Sequence, residues 1–118
     1  MSTVSYLLEL TIEPGKLEEF NSLATGFISS VNQNEPGTLG YLWHMAEDNK
    51  KALLLETFTD SDALLTHLGN VGPTLPNLLA LAPITRFEVL GAVNDAVREA
   101  LAPFGAVHFP NVEGFERR

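Results

Sequence analysis

Two titratable side chains in this chain sit where an apolar pattern sends them inward. Glu56 lies in the run LLLETF, sharing a strand face with Leu54 and Phe58, and His67 shares a helix face with Ala63, Leu64 and Leu68. A neutral imidazole in such a place can accept a phenolic proton near neutral pH. Glu56 can orient that imidazole or serve as the base itself, because a buried carboxylate needs a partner. Each has a plainer reading: His67 as a core histidine satisfied by one hydrogen bond, Glu56 as a structural partner of Arg86. Four further residues are candidates for substrate binding: His44, Trp43, Phe58 and Arg86. Trp43 and His44 are adjacent on one strand and point to opposite faces, so a single cavity takes at most one of them. Arg86 can bind an oxyanion, although a lone strand arginine usually forms a surface ion pair.

Other chemistries lack their residues. The chain has 3 His and 0 Cys, and His44, His67 and His108 have no close ligand spacing, so no metal is expected. Disulfides and thiolate nucleophiles are ruled out by composition. No G-x-S-x-G elbow, dinucleotide fingerprint or Walker loop occurs, so no nucleotide cofactor is expected.

The elements that must position these groups follow from periodicity. Residues 4–12 alternate, with Val4, Tyr6, Leu8, Leu10 and Ile12 on one side. Pro14 opens a helix, expected over about residues 14–31, whose stripe is Leu17, Phe20, Leu23, Ala24, Phe27, Ile28 and Val31. The turn Glu35-Pro36-Gly37 leads to a second strand, residues 38–45, and a third follows a polar loop at residues 51–59. Asp60 suits an N-cap for the helix carrying His67. Gly69, Gly72 and Pro73 break that helix, a short helical turn follows at about residues 74–81, and residues 84–93 read as a fourth strand.

This order predicts an α+β, ferredoxin-like βαββαβ domain over residues 1–93, a four-stranded antiparallel sheet with both helices on one face. Residues 94–118 form an extension: a short helix to Leu101, then an edge strand at residues 106–110, packed on the domain or a partner because Phe104, Phe109 and Phe115 are too apolar for a free tail. The strands carry large apolar residues on both faces, whereas two helices cover one. The uncovered face predicts a homodimer.

A length of 118 residues allows one domain. The net charge is −8, with Lys+Arg 7, which leaves no basic surface for nucleic acid or acidic membranes. The N-terminus reads as strand rather than signal peptide and no apolar run approaches a membrane span, so a cytoplasmic location is expected.

The segments EPGTLGY (residues 35–41), LLLETFTD (53–60) and ALLTHL (63–68) resemble the antibiotic biosynthesis monooxygenase domain of the dimeric α/β-barrel superfamily. The resemblance runs over about residues 2–93 and implies a cofactor-free monooxygenase using O2 on small aromatic or quinol-type compounds. In such a protein the substrate, once deprotonated, itself reacts with oxygen. Haem-degrading members use an Asn on the first strand, a Trp on the second helix and a later His; this chain has no Asn on that strand. The alternative is a non-catalytic, dimeric ligand-binding or stress-response module with a purely apolar cavity. A structural dimer, with no cavity near His67, is the third.

Overall fold

A computed structural model describes residues 3–117 of the chain. The first strand, β1 (Val4–Thr11), alternates buried and half-buried residues along its length, as its sequence requires. Gly15, at φ 79°, turns the chain in a left-handed conformation that glycine adopts without strain. Helix α1 (Leu17–Asn34) therefore begins three residues after Pro14. It also runs past Val31, because Pro36 is what disfavours continuation through Glu35.

Strands β2 (Thr38–Met45) and β3 (Lys51–Phe58) form a hairpin. Helix α2 (Ser61–Val71) is capped by Asp60, whose carboxylate accepts from the Ala63 amide at 2.9 Å. Gly69 does not break it: the helix continues to the buried Val71, since packing of the apolar face outweighs a cost of about 1 kcal/mol for an internal glycine. Helix α3 (Leu75–Leu81), β4 (Ile84–Leu90), α4 (Asp95–Leu101), a 3-10 turn (Ala102–Phe104) and β5 (Val107–Phe109) complete the chain.

The sheet order is β2-β3-β1-β4-β5. Its first four strands are antiparallel and have the ferredoxin-like arrangement. β5 adds a fifth strand, parallel to β4, so the sheet is mixed rather than four-stranded and antiparallel. The parallel pairing follows from α4, which carries the chain back along the sheet before β5 begins. Val97 and Leu101 of α4 are buried in the same core as the sheet.

The helix-covered face carries Tyr6, Leu8, Leu54, Glu56, Phe58, Phe87 and Val89, all buried. The opposite face aligns Leu7, Leu55 and Leu42 side by side across three strands, and Leu42 is 53% exposed. No helix among the described residues is long and apolar enough to cross a membrane.

Candidate functional site

Sheet register builds the floor of the site. Glu56 on β3 lies directly opposite Tyr6 on β1 and Tyr41 on β2, so one inward-facing row reads tyrosine, glutamate, tyrosine. Helix α2 lies over this row and brings down His67. The C-terminal end of α1 supplies Glu35, because Phe27, Val31 and Glu35 repeat at one helical spacing and face the same way. Glu35, Glu56 and His67 are 4%, 1% and 2% exposed, the only charged or strongly polar side chains so buried among the described residues.

His67 bridges the two carboxylates. Its Nδ1 is 2.8 Å from Glu35 Oε1, and its Nε2 is 3.0 Å from Glu56 Oε1. The second approach is short but poorly aligned, and Glu56 Oε1 has no well-directed donor. Glu35 is better satisfied: Thr38 Oγ1 donates to Oε1 at 2.7 Å and Asn70 Nδ2 to Oε2 at 2.7 Å. Burial alone would lower the His67 pKa, but hydrogen bonding and charge from Glu56, then from Glu35, outweigh it, and the net direction is up. The two carboxylates thus stabilise the charged form of the ring against the effect of burial.

Both tyrosines are held as neutral phenols. Burial, followed by the charge of Glu56, drives the Tyr6 and Tyr41 pKa values far above the usual phenol range. The rings of Tyr41 and Phe58 pack on the imidazole at centroid distances of 5.4 and 5.3 Å. Beside this cluster lies a partly open cavity of about 30 Å³, room for roughly one water molecule. Tyr6, Tyr41, Glu56 and His67 provide its polar lining; Leu8, Leu54, Leu78 and Phe87 are among the apolar remainder.

The structure brings together His67 and Glu56, with Phe58 as a packing neighbour of the imidazole. It does not bring the other three candidates to the cavity. Trp43 packs on Phe20, Phe27 and Tyr41, outside the lining, and its buried Nε1 has no partner. His44 is exposed on the far face. Arg86 is also exposed there and pairs with Glu88 at 2.9 Å, so it is not the partner of Glu56. Four contributors escaped sequence reading: Glu35, Tyr6, Tyr41 and Asn70. Glu35 left a signal in the spacing of residues 27, 31 and 35, which extends the buried stripe of α1 by one turn. No group of three or more potential ligands for a metal ion occurs among the described residues.

Taken together, a ferredoxin-like sheet, helices on one face and a buried acid–base cluster between them define a small α+β protein with a cavity between sheet and helices. The antibiotic biosynthesis monooxygenase profile matches residues 3–72, and the chain belongs to that family. A comparison with curated proteins finds no match. Among solved structures, MupZ from Pseudomonas fluorescens is 28% identical with a TM-score of 0.88, covering 99% of this chain and 96% of its own. SnoaB from Streptomyces nogalater, a cofactor-independent oxygenase solved as its N63A mutant, is 21% identical at a TM-score of 0.66, over 80% of this chain and 96% of its own. Rv0793 from Mycobacterium tuberculosis is 20% identical at 0.67, over 80% and 99%. The last two likenesses concern the fold.

Proposed function

We propose that this protein is a cofactor-independent monooxygenase of small aromatic or quinol-type compounds, working by acid–base chemistry in the cavity beneath α2. One observation carries the reading: Glu56 and His67, both buried, line a cavity whose other walls are mostly apolar, and buried Glu35 holds His67 from behind. Glu56 is the base. Its Oε1 lacks a well-directed donor, leaving it able to accept a proton from an acidic O–H or C–H. His67 is a positioning residue that holds the Glu56 carboxylate by charge, and Glu35 holds His67. The phenols of Tyr6 and Tyr41 supply donors for the oxygen that becomes anionic.

The deprotonated substrate then supplies the electrons. Its carbanion-like carbon adds O2, and the proton held on Glu56 passes to the peroxide oxygen. The O–O bond breaks with loss of water and of the second hydrogen on that carbon. A CH2 group and O2 thus become a carbonyl and H2O. The binding-module alternative calls for a cavity without a polar pair, and the Glu56–His67 pair argues against it. In the same reading the chain works as a homodimer, joined through the uncovered face that presents Leu7, Leu42 and Leu55.

The test is oxygen consumption with a panel of hydroquinones and anthrones, comparing the native protein with Glu56→Gln and His67→Ala. Loss of about a hundredfold or more in folded Glu56→Gln protein supports a general base. Undiminished turnover in Glu56→Gln removes Glu56 from the mechanism. No turnover above the spontaneous rate by the native protein removes these substrates.

A further inference from the structure

Two cavities share one wall. The inner one, about 30 Å³, reaches Glu56. The outer one, about 200 Å³, lies among Leu68, Gly72, Leu75, Leu79, Ala100 and Phe104. Leu68, Leu75 and Phe104 line both, so the two spaces adjoin at these three residues.

Their sizes are unequal in a useful way. The inner cavity has room for roughly one water, whereas an apolar cavity of about 150 Å³ is enough to hold benzene. The outer cleft therefore fits an aromatic ring or a chain of about six carbons, and its walls offer such a group apolar side chains. Phe104 is half-buried and stands on the 3-10 turn Ala102–Phe104. That turn ends on Gly105 at φ 77° and is anchored by the buried Val97 and Leu101. The family profile stops at residue 72, so Leu75, Leu79, Ala100 and Phe104 lie beyond the matched stretch.

We infer that the outer cleft is a second binding subsite, which takes an apolar arm of the substrate while the reactive head reaches Glu56. Phe104, in the wall between the spaces, sets the length and width of arm accepted. The substrate class is thus a small acidic head bearing a hydrocarbon arm, not a bare ring. This deepens the acid–base reading and rests on it for the head group. Occupancy of the cleft is read without turnover.

The experiment uses the full chain with methyl-labelled leucines, titrated with methanol, 1-butanol and 1-heptanol, whose hydroxyl head is small enough for the inner cavity. Leu54 lines only the inner cavity and Leu79 only the outer cleft. Methanol, little larger than a water, is expected to shift Leu54 alone, and 1-heptanol to shift both. Each fully buried methylene tightens binding about fourfold, so three buried methylenes give about fiftyfold or more between methanol and 1-heptanol. Ala100→Phe, which fills the cleft, cancels that gain and leaves methanol affinity unchanged. An unmoved Leu79 in the native protein overturns the subsite, whatever the fate of the variant. So does an equal chain-length gain in folded Ala100→Phe. Full turnover by Glu56→Gln with Leu79 still responding would remove the base and leave the subsite standing.

Discussion

Glu35 has two consequences that substitution can separate: it satisfies buried donors, and it places a negative charge beside His67. Glu35→Ala removes the acceptor of three donors, His67 Nδ1 at 2.8 Å, Thr38 Oγ1 at 2.7 Å and Asn70 Nδ2 at 2.7 Å. Breaking a buried charged pair by deleting one partner costs about 3–5 kcal/mol. Against a typical total stability of about 5–15 kcal/mol, that is roughly a fifth or more of the fold's margin. Glu35→Gln is gentler. Its amide oxygen keeps the acceptor for His67 and Thr38, and Asn70 can turn its own oxygen toward the new NH2. The remaining loss is the charge, about 1–3 kcal/mol for hydrogen bonds that had a charged partner.

The pH dependence fixes the sign. His67 has a raised pKa in the folded protein, so the stability it contributes is fully present below its unfolded value of about 6.5 and is lost as pH rises through the folded value. The difference between native protein and Glu35→Gln is therefore largest below about pH 6.5 and narrows above it. Urea unfolding from about pH 5 to 9 measures this, with the His67 ring nitrogens followed by NMR. The His67 pKa falls in Glu35→Gln, since burial persists while one of two favourable carboxylates is gone. A His67 titration unchanged by the substitution, or a stability loss independent of pH, would refute the coupling between these groups.

Gly37→Ala would place a Cβ 2.7 Å from Ala63 Cβ; a loss of about 1–3 kcal/mol by thermal or urea melting is expected, recovered in part by Ala63→Gly. Asp60→Ala deletes the cap of α2 at Ala63 N and lowers stability by about 1 kcal/mol, without altering the His67 titration. Leu55→Glu charges the centre of the Leu7–Leu55–Leu42 row; on the proposed dimer, sedimentation equilibrium is expected to show a dimer for the native chain and a monomer for the variant, with an unchanged far-UV spectrum. A native chain that sediments as monomer at micromolar concentration would remove the dimer.

The first ninety residues were readable because burial imposes a period on them. β1 and β3 alternate, and α1 and α2 repeat at helical spacing. Asp60 announces its helix through local capping chemistry. β5 was readable as a short strand, but its parallel pairing was not: three residues, Val107–Phe109, carry no register information, and their partner is chosen by where α4 docks. Glu56 and His67 were visible because each interrupts an apolar face. Alternation put Trp43 and His44 on opposite faces without saying which is inward; Trp43 is, packed on α1, and strand position could not show that it stands away from the cavity. Arg86 lies two residues from Glu88 on one strand face, and that local pair takes it away from Glu56. Tyr6 and Tyr41 passed as ordinary strand aromatics; only cross-strand register shows that both flank Glu56.

Glu35 was the hardest residue to see, and it says most about the purpose of the cluster. It lies at the C-terminal end of α1, where the helix dipole is unfavourable to negative charge, and no basic residue occupies the last turn. It is also buried, which costs more. A core built for stability would place a hydrocarbon at residues 35, 56 and 67, since well-packed apolar substitutes for buried ion pairs are often neutral or stabilising. A structural histidine needs one hydrogen bond. This one meets two carboxylates from separate elements, and the less satisfied carboxylate, Glu56, is the one that lines the cavity while Glu35 does not. In the acid–base reading we propose, that asymmetry divides the roles: Glu35, with three partners, fixes His67, whereas Glu56, facing His67 Nε2 without a well-directed hydrogen bond, is the group placed to take a proton. A stability-driven network would satisfy both carboxylates alike; proton transfer requires one of them to be left open.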